Sequence, residues 1–191
     1  MKTGHVVFLN GVTSAGKTQI SKAIQEMAEE QFRHLSYDMV NHFYWDMFYD
    51  KHYKQIEASG RVYEYWAESV VLTYRLARMM AEQGNNVILD GALEERDVFI
   101  ECYQKTNYEL LLDVFSGLNI FMVEVFCPLD ECRRRNIARG DRGETQSDEQ
   151  NEMMNKTIRY NYSVNTLADS PELCAEKIRK ELYLQTRKLG E

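Results

Sequence analysis

The sequence predicts an α/β fold with a five-stranded parallel sheet and helices on both faces. Three observations predict it. Short apolar runs rich in β-branched and aromatic residues alternate with longer stretches of helical spacing. The first run breaks into the glycine-bearing loop Gly11-Val12-Thr13-Ser14-Ala15-Gly16-Lys17-Thr18 and resumes as a helix. The chain has 191 residues, 44% hydrophobic and 28% charged with only 2 prolines, enough to bury the core of one sheet-and-helix domain.

In chain order, His5 to Asn10 (HVVFLN) predicts the first strand. Gln19 to Gln31 predicts a helix, with Ile20, Ala23, Ile24, Met27 and Ala28 along one stripe. Phe32 to Tyr37 predicts the second strand, and Asp38 then opens an amphipathic helix. Glu64 to Gln83 predicts another helix, stopped at Gly84. Strands follow at Asn86 to Asp90 (NVILD), Ile120 to Cys127 (IFMVEVFC) and Tyr162 to Thr166. The closing helix, Pro171 to Lys188, has Asp169-Ser170 as capping residues and proline in its first turn. Strands separated by long helices favour parallel pairing. Gly140 to Gln150 (GDRGETQSDEQ) is polar and glycine-bearing between helical patterns, the place for a lid. The chain therefore predicts one domain over residues 1–191, with a lid at about 133–150 and an acceptor-binding region at about 38–66.

Charge excludes some functions. A net charge of -7 disfavours a nucleic-acid binder, which holds phosphates with clustered Lys and Arg. No apolar run reaches the length of a membrane span or of a signal peptide's core, which predicts a cytoplasmic protein. Cys102, Cys127, Cys132 and Cys174 form neither a C-x-x-C pair nor a metal-ligand pattern and are expected to be reduced.

The chemistry concentrates on phosphate. Gly11, Gly16, Lys17 and Thr18 meet G-x-x-x-x-G-K-[ST] between a strand and a helix. The glycines let backbone N–H groups of Thr13, Ser14, Ala15 and Gly16 converge on phosphate oxygens, and the helix N-terminus adds positive partial charge. Lys17 reaches the outer phosphates, and Thr18 offers a hydroxyl to Mg²⁺. Asp90, at the end of an apolar strand, is the candidate second magnesium residue, or else a cap for the turn at Gly91. Arg135, Arg139 and Arg142 follow at spacings of four and three, which on a helix is one face. They are candidate cations for a transferring phosphoryl group, the alternative being a solvated face paired with carboxylates.

The acceptor side is less explicit. Aromatic residues crowd the stretch from Tyr37 to Trp66. Phe43 and Met47 fit a packing stripe, while Trp45, Tyr49 and Tyr53 share a face that could wall a pocket. Asp38 follows the second strand and is the candidate base for an acceptor hydroxyl, or the N-cap of the next helix. His34, His42 and His52 show no shared spacing with carboxylates and are expected to be structural or surface residues.

The fragments LNGVTSAGKT at 9–18, Asp38, NVILD at 86–90, R-x-x-A-R-G-D-R at 135–142 and YNYSVNT at 160–166 resemble the chloramphenicol phosphotransferase-like family of P-loop kinases. The resemblance covers most of the chain in order. It implies a nucleotide-kinase-like fold, ATP with Mg²⁺, a strand-end Asp as base and lid arginines at Arg139 and Arg142. The tail departs from the family pattern, with Asn161 and Asn165 at positions of Asp.

The expected activity is ATP-dependent transfer of a phosphoryl group to a hydroxyl of a small antibiotic-like or metabolite molecule. The alternatives are a nucleoside, nucleotide or sugar-nucleotide kinase of the zeta-toxin type, or an ATPase switch without transfer. N-K-x-D, which reads guanine in many small GTPases, is not found.

Overall fold

A computed structural model describes residues 3–95 and 105–189, apart from the side chains of 44–53, 63 and 187–189. The strands are β1 (Val6–Asn10), β2 (Phe32–Ser36), β3 (Asn86–Gly91), β4 (Ile120–Phe126) and β5 (Tyr162–Asn165). The helices are α1 (Lys17–Met27), α2 (Tyr37–Ala58), α3 (Val62–Glu82), α4 (Asn107–Val114), α5 (Leu129–Arg139), α6 (Gln146–Met153) and α7 (Pro171–Leu189). The sheet is parallel throughout, in the order β2-β3-β1-β4-β5, the five-stranded arrangement expected from the sequence.

β1 feeds two cores because successive side chains point to opposite faces. From β1, Val7 and Leu9 pack with Ile20 and Ile24 of α1 and with Cys174, Ile178 and Leu182 of α7. Val6 and Phe8 pack the other way, against Val70, Tyr74 and Ala77 of α3 and Leu111 of α4. β1 is fully buried, so truncating Leu9 to Ala costs about 2–5 kcal/mol.

Strand order also builds the site. Asn10 lies opposite Gly91, and Ser36 opposite Asp90, so the loops after β1, β2 and β3 leave one carboxyl edge together. Open α/β sheets bind ligands at that edge.

Several expectations need correction. Ser36 caps α2, its Oγ accepting from Met39 N at 3.1 Å, and Asp38 falls within the first turn instead of capping it. Phe43, expected in the packing stripe, is 65% exposed, while Tyr37, Val40 and Ile56 are the buried residues described on α2. Five of the eleven residues of the polar segment 140–150 are helical, since α6 begins at Gln146. α5 ends at Arg139, and Gly140 turns the chain with φ 71°, so Arg142 does not share a helical face with Arg135 and Arg139. The side chains of Trp45, Met47, Tyr49, Tyr53 and His52, and residue Cys102, lie outside those described.

Among the described residues, no helix is long and apolar enough to cross a membrane. Cys127, Cys132 and Cys174 are buried free thiols. Burial pushes Cys132 up to about 12 and Cys174 up to about 11, which keeps them protonated at neutral pH.

Candidate active site

The loop after β1 is shaped by backbone constraints. Gly11 N donates to Gly91 O at 3.3 Å, and a Cβ on Gly11 would stand 2.5 Å from Val125 O. Gly16 adopts φ 103° as the N-cap of α1, a conformation that favours glycine, and Ser14 takes φ 57° without being glycine. Ser14 Oγ is buried with no partner among the described residues, the condition of a hydroxyl that fits an anion. Thr166 Oγ1 donates to Ala15 O at 2.7 Å, tying the loop to the end of β5.

Lys17 opens α1 and turns back over the loop, donating to the carbonyl oxygens of Gly11 and Val12 at 2.7 and 2.8 Å. Burial lowers its ammonium below the ordinary lysine value, against the pull of the Asp90 and Asp38 carboxylates. Thr18 Oγ1 donates to Asp90 Oδ2 at 3.3 Å. The same carboxylate oxygen lies 2.8 Å from His34 Nε2, so His34, expected to be structural or on the surface, is a partner of the candidate magnesium residue. A hydroxyl beside a strand-end carboxylate is a donor set that suits Mg²⁺.

The three arginines occupy distinct positions. Arg135 is committed: its Nε donates to Glu131 at 2.8 Å, Nη1 to Ser14 O and Thr166 Oγ1, and Nη2 to Thr166 O. Arg139 reaches forward to Asp141, with both contacts at 3.1 Å. Arg142 Nη2 donates to Asp38 Oδ2 at 2.7 Å, and its Nε is buried without a hydrogen-bond partner among the described residues. A cation with an unfilled donor beside the loop also fits an anion.

These groups converge on two cavities. The larger, about 710 Å³, is lined by Thr13, Ser14, Gly16, Lys17, Thr18, Asp38, Asp90, Arg135, Arg139 and Arg142, together with Thr166. Every candidate phosphate-loop, metal and catalytic residue is there except Gly11 and Ala15, while the side chains of Trp45, Tyr49 and Tyr53 lie outside those described. The second, about 350 Å³, is bounded by Tyr37, Val62, Trp66, Glu94, Gln146 and Gln150. Both share Thr13, Lys17, Asp38, Asp90 and Arg142.

Sequence reasoning missed His34, Glu94, Gln146, Gln150 and Thr166 as residues of the site. Gln150 Oε1, on α6, accepts from Thr13 N at 2.6 Å across 137 positions of chain. Tyr37 closes one wall: its hydroxyl bonds Tyr74, which donates to Asn107, and a Cβ on Gly91 would stand 2.4 Å from its ring. Asn161 serves the sheet instead, its Oδ1 accepting from Met122 N at 2.7 Å.

A parallel five-stranded sheet with this loop at its carboxyl edge defines a P-loop domain of the kinase type. The chain belongs to the family described as chloramphenicol phosphotransferase-like protein, whose family model matches residues 4–183. The family resemblance read from the sequence is thereby borne out. Two curated proteins of Mycobacterium tuberculosis whose names propose an O-phosphotransferase are 27% identical over 164 residues, covering 74% of this chain and 66% of theirs. The chain thus spans just under two thirds of those relatives.

Among solved structures, the APS kinase of Mycobacterium tuberculosis in complex with AMPPNP and APS superposes with a TM-score of 0.65 at 15% identity, covering 96% of this chain and 99% of that one. Shikimate kinase from Acinetobacter baumannii, in complex with shikimate, gives 0.59 at 16% identity, covering 97% and 96%. At such identities the likeness concerns the fold.

Proposed function

We propose that the protein is an ATP-dependent O-phosphotransferase that moves the γ-phosphoryl group to a hydroxyl of a small molecule. One observation carries the reading: a cavity built for phosphates and a cavity of small-molecule size open onto the same five residues, Thr13, Lys17, Asp38, Asp90 and Arg142. A hydrolysing switch needs only the first.

The loop N–H groups and Lys17 hold the phosphates, which requires Lys17 to release the carbonyl oxygens of Gly11 and Val12. Thr18 and Asp90 would hold Mg²⁺, which supplies charge neutralisation on the phosphate oxygens when bound. His34 keeps Asp90 Oδ2 in place. Asp38 orients the acceptor hydroxyl and takes its proton as the new O–P bond forms. The bond from that phosphorus to the oxygen of the departing diphosphate breaks, and its electron pair leaves with ADP. Arg142 and Arg139 lie beside the phosphate cavity, where cations offset charge on the moving group.

Before transfer, Arg142 must let go of Asp38. Asp38 is 66% exposed, so the pair contributes at most about 1 kcal/mol and exchanges readily for a phosphate partner. We assign residues 133–150 as the lid and 38–66 as acceptor-binding in this single domain. Arg133 supports the first assignment by bridging α5 to Asp148 of α6 at 2.6 Å.

The test is ATP turnover with and without a library of hydroxyl compounds, read by mass spectrometry. Acceptor-dependent ADP release with a phosphorylated product is expected. Equal turnover with every compound and no new product would refute the proposal.

A further inference from the structure

We infer that His34 is a positioning residue for the choice of metal: by occupying one oxygen of Asp90 it leaves that carboxylate a single oxygen to offer, which favours Mg²⁺ over Ca²⁺. The inference rests on Thr18 and Asp90 being the magnesium residues of the proposed phosphotransferase, and it assigns the selectivity of that site to a residue outside the phosphate loop.

The first ground is placement. Phe32 and Ile88 pack in the same core as Ile20 and Ile24 of α1. Side chains alternate along a strand, so His34, two residues after Phe32, and Asp90, two after Ile88, face that side of the sheet as well. The register sets His34 opposite Ile88, and its ring reaches onward to Asp90, which α1 meets through Thr18. The two side chains are 11% and 7% exposed, so water competes little for their contact.

The second ground is the count of lone pairs. A carboxylate only accepts, so His34 Nε2 carries the proton and donates to Asp90 Oδ2 at 2.8 Å. Thr18 Oγ1 donates to the same oxygen at 3.3 Å. A carboxylate oxygen has two lone pairs, and Oδ2 has thereby used both. Among the described residues, no hydrogen bond reaches Oδ1. The Lys17 ammonium is close enough to feel the charge of Asp90, yet it donates to Gly11 O and Val12 O instead.

The third ground is coordination chemistry. Ca²⁺ takes about six to eight oxygens in flexible geometry and accepts a carboxylate through both oxygens at once. Mg²⁺ demands near-octahedral geometry and keeps several waters. A carboxylate with one oxygen committed meets the second demand and cannot meet the first. Partners of this kind orient the groups that bind a metal.

Calorimetry of AMPPNP binding is compared in saturating Mg²⁺, saturating Ca²⁺ and EDTA. The proteins are the wild type, the donor-free variants His34→Phe and His34→Leu, and His34→Gln, with thermal melting verifying that each folds. The wild type should bind AMPPNP more tightly with Mg²⁺ than with Ca²⁺. A donor-free variant should weaken the Mg²⁺ complex about 10- to 100-fold, the usual cost of losing such a partner, and the Ca²⁺ complex by less, with binding in EDTA unchanged. His34→Gln, whose amide N–H can donate to the same oxygen, should keep most of the preference. A folded donor-free variant with the wild-type ratio of the two affinities overturns the inference, as does an equal loss in EDTA, which puts the effect in the phosphate loop. Wild-type binding no tighter with Mg²⁺ than with Ca²⁺ or EDTA overturns it as well. Because no acceptor enters this experiment, the expected pattern upholds the inference even where the hydroxyl library yields no phosphorylated product, a result that refutes the transferase reading alone.

Discussion

Replacing Asp38 by Asn separates chemistry from stability at one position. Because Ser36 caps α2, the Asp38→Asn variant forfeits no cap. The pair with Arg142 involves a carboxylate 66% exposed and contributes about 0–1 kcal/mol. A carboxylate in the first helical turn contributes a further 0.3–1 kcal/mol or so through the helix dipole. The expected loss of stability is therefore about 1 kcal/mol and at most about 2. Transfer should fall by roughly 10²-fold or more, the scale of a lost general base, equivalent to about 2.7 kcal/mol at the transition state. Ser36→Ala supplies the control, costing about 1 kcal/mol of stability through the cap with little direct effect on the proton transfer. The assay pairs urea denaturation midpoints with initial rates of product formation at saturating ATP. A folded Asp38→Asn protein with near-normal transfer would refute the assignment of the base.

Lys17→Ala should abolish transfer and weaken ATP binding more than ADP binding in calorimetry; unchanged turnover would remove the loop from the mechanism. Arg142→Ala should lower kcat by about 10³-fold, well beyond its effect on the KM for ATP, and an effect on KM alone would make Arg142 a binding clamp. Gly91→Ala drives a methyl to 2.4 Å from the packed Tyr37 ring, so it should destabilise the protein by about 1–3 kcal/mol and raise the KM of the acceptor more than that of ATP. Hydrogen bonds from Arg134 and Arg135 hold the Glu131 carboxyl down to about 2, from an ordinary 4.5. The sign follows: this stabilisation is complete above pH 4.5 and fades as pH falls toward 2. Hydrogen-exchange protection in α5, corrected for the intrinsic pH dependence of exchange, should fall across that window, and Glu131→Gln should reduce that fall, the Arg133–Asp148 and Arg139–Asp141 pairs accounting for the rest.

The parts of the site that are consecutive in the chain were legible. Gly11 to Thr18 carries its own spacing, and Asp38 and Asp90 sit where an apolar strand stops, so position alone marks them. Arg142 lines both cavities without the helical periodicity that singled it out, because Gly140 interrupts the helix. His34, Glu94 and Gln150 were not legible, since each acts through one contact or one cavity wall reached by folding. His34 meets Asp90 only because β2 pairs with β3 in a register that sets His34 opposite Ile88 and Ser36 opposite Asp90. Phe43 misled because helical spacing identifies a stripe and not what lies against it.

Gln150 stands in for a ligand. With its amide oxygen on Thr13 N and with Lys17 turned onto Gly11 O and Val12 O, these donors of the loop already have partners. An anion that takes these donors must displace Gln150 Oε1 and both carbonyl oxygens, so part of its binding energy offsets those lost contacts. A triphosphate engages several donors at once, and after its first contact the others bind at high effective concentration. Whatever phosphate takes Thr13 N must therefore release Gln150, and with it the contact that joins α6 to the loop.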